Sequence, residues 1–388
     1  MFSHLTKDFL GNKFSRAIGW PFLAVGILFG TWATFIPQVK IRYDLNDADL
    51  GMLLLSMPLG ALSMNAMGAY LVNRIGMQRA TLFGLFFMCF AFLIPLNVPF
   101  FWMLPIGLFL CGSGISITNV AMNTVAGSLE VSERINIIST CHGLFSIGLM
   151  LSSIAASTAI GLKVEGGLYV VFVITFVVLG GLIVRKTLLS IADQKEESAP
   201  ASNSKFTMPT GPLLIMILMG LCNNFTEGTM ADWSSVFMRD VIKSSTYFTG
   251  WGLAAYSLFM ALGRFFGDAL IPRYGANKIL TWGAVISFIG IMVLILLPNV
   301  EMAIIGFSLV GAGVSCAAPI LYASSARVPG MKKGAGLAIF NTFAMIGFMV
   351  GPVIIGFISE AVSLSFAFML VSGLCVLWAV LSLRAKLY

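Results

Sequence analysis

The chain has 388 residues, of which 58% are hydrophobic and only 10% charged, with a formal net charge of +7. An ordinary soluble domain is roughly 45–50% apolar and about 25% charged, so this balance excludes a water-soluble globular protein. The apolar residues come in repeated runs of about 20, each long enough to cross a hydrocarbon core of roughly 30 Å, and in lipid such runs are helices because the backbone finds no other partner.

An all-α membrane protein with twelve transmembrane helices is therefore expected, with spans near 17–38, 50–72, 79–97, 101–127, 136–160, 166–187, 211–238, 246–271, 278–298, 302–326, 334–358 and 364–384. The first span is too long to be a removable signal peptide and lacks a small-residue cleavage site. Of the 23 Lys and Arg, 17 fall in the N-terminal tail, the even-to-odd loops and the C-terminus, five fall in the other loops, and Arg264 lies inside a span. That asymmetry puts both termini in the cytoplasm. It also accounts for the basic charge, so no nucleic acid is called for. The six cysteines (Cys89, Cys111, Cys141, Cys222, Cys316, Cys375) all fall within spans at no metal-type spacing and read as small apolar residues. No metal site and no cofactor are expected.

In chain order, Trp32 in the first span offers a ring that could stack on a solute, with plain packing at least as good a reading. Asn119 and Asn123 stand one turn apart in the fourth span, and His142 lies about 9 Å into the fifth. Amides both donate and accept, which suits solute hydroxyls, and an imidazole titrates near neutrality. Interhelical hydrogen bonding is the competing explanation for all three. Glu130 and Arg134 read as an ion pair at the membrane surface.

A polar stretch at 188–210, LSIADQKEESAPASNSKFTMPTG, reads as a cytoplasmic linker between a first half, 1–187, and a second, 211–388. The seventh span then carries NNFTEGTMADWSSVF, 223–237, with two acids in apolar surroundings. Glu227 should lie near the midplane and Asp232 roughly 10 Å past it, about 140° around the helix, so the two are not expected to share one proton. Asn223, one turn before Glu227, shares its face. Intramembrane acids are rare and usually functional, and a buried carboxyl favours its neutral form, as a proton carrier requires. In the eighth span Tyr256 is a second candidate for stacking, while Arg264 and Asp268, four apart near the inner end, read as a structural or gating pair. Asn341 in the eleventh span enters on symmetry alone, as the repeat mate of His142.

That symmetry is written in the sequence. GAYLVNRIGMQRATLFG at 68–84 aligns with GDALIPRYGANKILTWG at 267–283, pairing Gly68 with Gly267, Arg74 with Arg273 and Gly76 with Gly275 at an offset of 199. The same offset pairs Gly112 and Gly114 with Gly311 and Gly313, and His142 and Gly148 with Asn341 and Gly347. Two six-span repeats of equal topology are related by an axis along the membrane normal, which places any shared site between them near the midplane.

The loop G-x-x-x-x-N-R-x-G after the second span, with its second copy, resembles the loop signature of the major facilitator superfamily. Within it, GTWATFIPQVK (30–40), VAMNTVAGSLE (120–130), CHGLFSIG (141–148), FTEGTMADW (225–233) and GRFFGDALIPRYG (263–275) are similar to the fucose-permease-like branch, in particular its YbjJ-type bacterial inner-membrane members. The resemblance implies alternating access and gating roles for Arg74 and Arg273. The usual loop aspartate is Asn73 in one copy and Pro272 in the other, and the acid that fucose permeases carry in span four is absent from GISITNVAMN (114–123), which moves the expected coupling role to Glu227.

The chain should thus be a secondary transporter of a small polar, sugar-like solute in a bacterial inner membrane, coupled to protons or sodium and working as a monomer. The alternative within transport is an exporter of amphipathic compounds, to which 32 Phe and 22 Met could offer an adaptable lining. A non-transporting sensor ranks lower because the longest soluble segment is the linker. No enzyme is expected, since neither a phosphate-binding loop nor a catalytic set is present.

Overall fold

The computed structural model describes residues 9–192, 211–329, 331 and 335–387, without the side chains of 268 and 269. Most of the expected linker, and the side chain of Asp268, lie outside the described residues. Among the described residues the secondary structure is helical, and twelve long helices follow one another: α1 (Lys13–Arg42), α2 (Asp47–Ile75), α3 (Met77–Asn97), α4 (Met103–Glu133), α5 (Ile138–Gly161) and α6 (Gly166–Leu189), then α7 (Pro212–Asp240), α8 (Trp251–Tyr274), α9 (Ala276–Leu296), α10 (Val300–Ser325), α11 (Ala335–Ala361) and α12 (Leu364–Arg384). Eleven of them, all but α8, are long and apolar enough over the described residues to cross a membrane. Two are interrupted, α2 at Leu55 and α10 at Ser315 and Cys316. Helix starts carry local caps: Asn12 accepts from the Phe14 N–H at 2.8 Å, Asn46 from Asp49 at 2.7 Å and Asn299 from Met302 at 2.9 Å. The turns after α2 and α8 end on Gly76 (φ 87°) and Gly275 (φ 85°), a left-handed conformation that favours glycine and recurs at the repeat offset.

Packing repeats as well. In the first half α1 packs on α5 and α6, α4 on α2 and α3, and α3 on α6; in the second, α7 packs on α11 and α12, α10 on α8 and α9, and α9 on α12. Glycines set the closest of these approaches. A Cβ at Gly112 would collide with the Met57 carbonyl, and one at Gly311 with that of Tyr256, the same helix crossing in each half. The first and seventh spans keep the scheme with a slip of one residue: Gly148 approaches Leu23 and Ile27, whereas Gly347 approaches Leu221 and Phe225, 198 residues on.

The halves meet through α5 on α8 and α2 on α11. On the side away from the termini the contact is tight. Gly51 rests on Pro352 and Gly356, and the Gly250 N–H donates to Ser157 Oγ at 2.5 Å. A charged latch crosses between halves there. Lys40 pairs with Asp47 at 2.5 Å and with Asp240 of the second half at 2.9 Å, Arg239 donates to the Pro37 carbonyl at 2.7 Å, and Asp47 meets Ser359 and Glu360 of α11. Toward the terminal side the α2–α11 contact fades: it is concentrated in Asp47–Leu54, and Ser56–Ile75 barely touches α11.

Candidate functional site

Glu227 sits one residue past the midpoint of α7 and is buried. The neighbouring hydroxyls need nothing from it, because Thr226 and Thr229 donate back to the carbonyls of Cys222 and Phe225 on their own helix. Asn224 donates to the Ala344 carbonyl of α11 at 2.9 Å, which fixes α7 against its neighbour. Asn223 Nδ2 donates to Glu227 Oε1 at 2.8 Å, so the carboxyl is held in one rotamer by an amide one turn away. Asn223 Oδ1 is buried without a hydrogen-bond partner among the described residues.

Helix α8 brings the opposite charge. Arg264 lies at the middle of α8, not near its inner end as the sequence suggested, because the helix begins at Trp251 and runs on to Tyr274. It is half-buried, donates to Ser146 Oγ of α5 at 3.1 Å, and stands within electrostatic reach of both Glu227 and His142. Its contact therefore crosses between the halves, and the expected pairing with Asp268 falls outside the described residues. Tyr256, two turns earlier on α8, is 1% exposed, in electrostatic reach of Glu227 and Arg264, and its hydroxyl has no hydrogen-bond partner among the described residues.

Two matched contacts lie beside this pair. His142 Nε2 is 3.1 Å from Asn123 Oδ1, and Asn123 Nδ2 donates to Asn119 Oδ1 at 2.8 Å. In the second half Tyr322 donates to Asn341 Oδ1 at 2.9 Å. Tyr322 is the mate of Asn123, and Asn341 that of His142, at the offset of 199. The contact has been kept while its chemistry changed. Tyr322 also faces Glu227 electrostatically. Sequence reasoning passed over it, although the repeat offset applied to Asn123 points straight to it. Ser146 and the latch residues were missed for a different reason: a serine within a span and charges in short loops are unremarkable until packing joins them.

Other expected residues go elsewhere. Asp232 is half-buried and has no hydrogen bond or ion pair among the described residues; the outer ion pairs are made by Asp47 and Asp240. Trp32 is 2% exposed, and Tyr256 is sealed equally well, so neither ring offers a face for stacking in this conformer. Glu130 does not pair with Arg134. Its Oε1 accepts the Ile137 and Ile138 N–H groups at 2.6 and 2.8 Å, capping the start of α5, while Arg134 ends α4 in a left-handed conformation. Arg74 donates to Tyr70 on its own helix at 2.9 Å and Arg273 lies over Tyr274, so neither reaches the other half. Among the described residues, no group of three His, Cys, Asp or Glu could hold a metal ion.

Comparison with known proteins agrees with this architecture. The Major Facilitator Superfamily pattern matches residues 213–386. An uncharacterised MFS-type transporter of Yersinia pestis is 31% identical over 349 residues, covering 89% of each chain. The chain belongs to the major facilitator superfamily. Among solved structures a D-xylose–proton symporter superposes with a TM-score of 0.77 at 12% identity, over 96% of this chain and 97% of that one. A variant of the nucleoside transporter NupG superposes at 0.75 and 11%, over 96% and 100%. At such identities the two show a shared fold. As a superfamily member the chain is a multi-pass membrane transporter, and the Glu227–Arg264 region lies where the two superfamily halves face each other.

Proposed function

We propose that this transporter carries a small polyhydroxylated solute, coupled to protons, by rocking its two halves about the Glu227–Arg264 region. One observation carries the reading: a buried carboxyl at the middle of α7, held by Asn223, faces a cation at the middle of α8, with polar groups of both halves beside it. An acid at that depth is tolerated where it takes part in solute or proton passage. Asn119 is exposed at the middle of α4, and its partner Asn123 leads through His142 toward Arg264, which supports an aqueous approach from the terminal side.

The xylose symporter and the nucleoside transporter that share the fold act on hydroxyl-rich solutes, as their names state, which fits the amides and tyrosines gathered here. The lysine and arginine asymmetry supports an inner-membrane orientation with both termini in the cytoplasm, and the stretches around 30–40 and 225–233 support the fucose-permease-like branch. The transporter works as a monomer in this reading.

The test is transport in proteoliposomes. Glu227→Gln is expected to leave solute counterflow measurable and to abolish accumulation driven by a pH gradient. Undiminished gradient-driven accumulation in that variant would remove Glu227 from the coupling role.

A further inference from the structure

Of the 23 Lys and Arg, Arg264 alone lies in the interior of a span. A guanidinium stays charged at any physiological pH, so whatever faces it must balance it. Among the described side chains that role falls to Glu227, the buried acid within its electrostatic reach, while Asp268, one turn on, lies outside them. Protonating Glu227 removes that balance and leaves a half-buried cation without it, which is disfavoured.

Two further buried groups point at an absent ligand. The Tyr256 hydroxyl, a donor, and Asn223 Oδ1, an acceptor, both lack partners among the described residues, with Tyr256 1% and Asn223 0% exposed. Buried polar atoms are ordinarily satisfied. Together these groups give the site a donor pole, Arg264 and Tyr256, and an acceptor pole, Asn223 Oδ1 beside Glu227.

Resting on the proton-coupled reading above, we propose that the solute is an acidic polyol, a sugar-acid type of compound, whose single carboxylate takes the place of Glu227 as counter-ion to Arg264 when Glu227 is protonated. The carboxylate accepts from Arg264 and Tyr256, and a solute hydroxyl donates to Asn223 Oδ1. The proton rides on Glu227 Oε2, the oxygen that Asn223 does not bond. Proton and anion then bind cooperatively, each making the other's binding more favourable by the same factor. A phosphate dianion fits less well, since one arginine cannot neutralise it. Of the other described titratable groups, His142, facing Arg264, bonds to Asn123, and Tyr322, facing Glu227, bonds to Asn341, so both are already engaged.

The experiment uses the full chain in proteoliposomes with radiolabelled neutral sugars and their carboxylate counterparts, glucose with glucuronate and galactose with galacturonate. Uptake of a uronate, driven by a pH gradient and unchanged by an imposed potassium-diffusion potential, is expected, because one proton and one monoanion carry no net charge. Arg264→Gln should raise the half-saturating uronate concentration roughly a hundredfold, Arg264→Lys should recover part of the loss, and Tyr256→Phe, which keeps the ring, should weaken uptake by about fivefold. Transport of the neutral sugars in preference to the uronates, or uptake that the electrical potential drives, overturns the carboxylate assignment and leaves Glu227 as the coupling acid. Retention of gradient-driven accumulation by Glu227→Gln overturns the underlying reading instead.

Discussion

Glu130 and Glu227 are the same side chain put to different uses by what surrounds them. Glu130 accepts two backbone N–H groups at the start of α5, whereas Glu227 is met by one amide and faces a guanidinium. Truncating Glu130 to alanine should therefore cost about 1–2 kcal/mol of stability, in the range of a lost helix cap. It should be read as a lower thermal midpoint in detergent with solute affinity unchanged; an unshifted midpoint would show that water replaces the cap without loss. Glu227 was legible in the sequence because an acid among apolar residues is conspicuous whatever it packs against. Tyr322 was easily passed over, since a tyrosine in a span is ordinary until the repeat offset from Asn123 singles it out and Asn341 gives it a partner. The paired reading of Glu130 with Arg134 failed because spacing along a helix takes no account of the unpaired N–H groups that the next helix brings near.

At the scale of elements, glycine and charge divide the work of joining helices. Gly112 and Gly311 let α4 approach α2, and α10 approach α8, to backbone contact within each half. Between halves on the far side, Lys40, Asp47 and Asp240 form the latch, with Ser359 and Glu360 beside it. Partly exposed ion pairs are individually weak, and that suits a contact that has to open. Lys40→Met should shift the balance toward the far-side-open conformer by on the order of 1 kcal/mol, roughly fivefold in population. Spin labels at Asp49 and Thr246, exposed far-side positions in separate halves, would report this as a longer distance population. An unchanged distribution would mean that the far-side contacts without Lys40, at Gly51, Pro352, Arg239 and Gly250, keep that side shut.

At the scale of the whole molecule, two six-helix halves pack internally by one scheme and meet through α2 with α11 and α5 with α8. Twelve spans would put both ends of the chain on one side, and the proposal that this side is cytoplasmic rests on the distribution of Lys and Arg. A green fluorescent protein fused after Tyr388 should fluoresce, and alkaline phosphatase at the same point should be inactive. The reverse pair of results would invert the orientation while leaving the fold untouched.

Composition and run length alone determined the membrane class and the succession of long apolar helices, because a bilayer imposes length and hydropathy on every span regardless of its neighbours. The repeat offset likewise survived in the sequence where turns and close crossings demand glycine, as at Gly76 and Gly275. Tertiary structure decided what no spacing could. It put Arg264 at mid-depth, carried its hydrogen bond across to Ser146, and slipped α7 by one residue relative to α1. By that slip Glu227 corresponds to Phe29, so the acid has no acidic counterpart in the first half. The physical reason is that each helix satisfies its own backbone. Its rotation and depth are therefore set by the side chains of the helices it meets, and those are chosen only when the bundle closes.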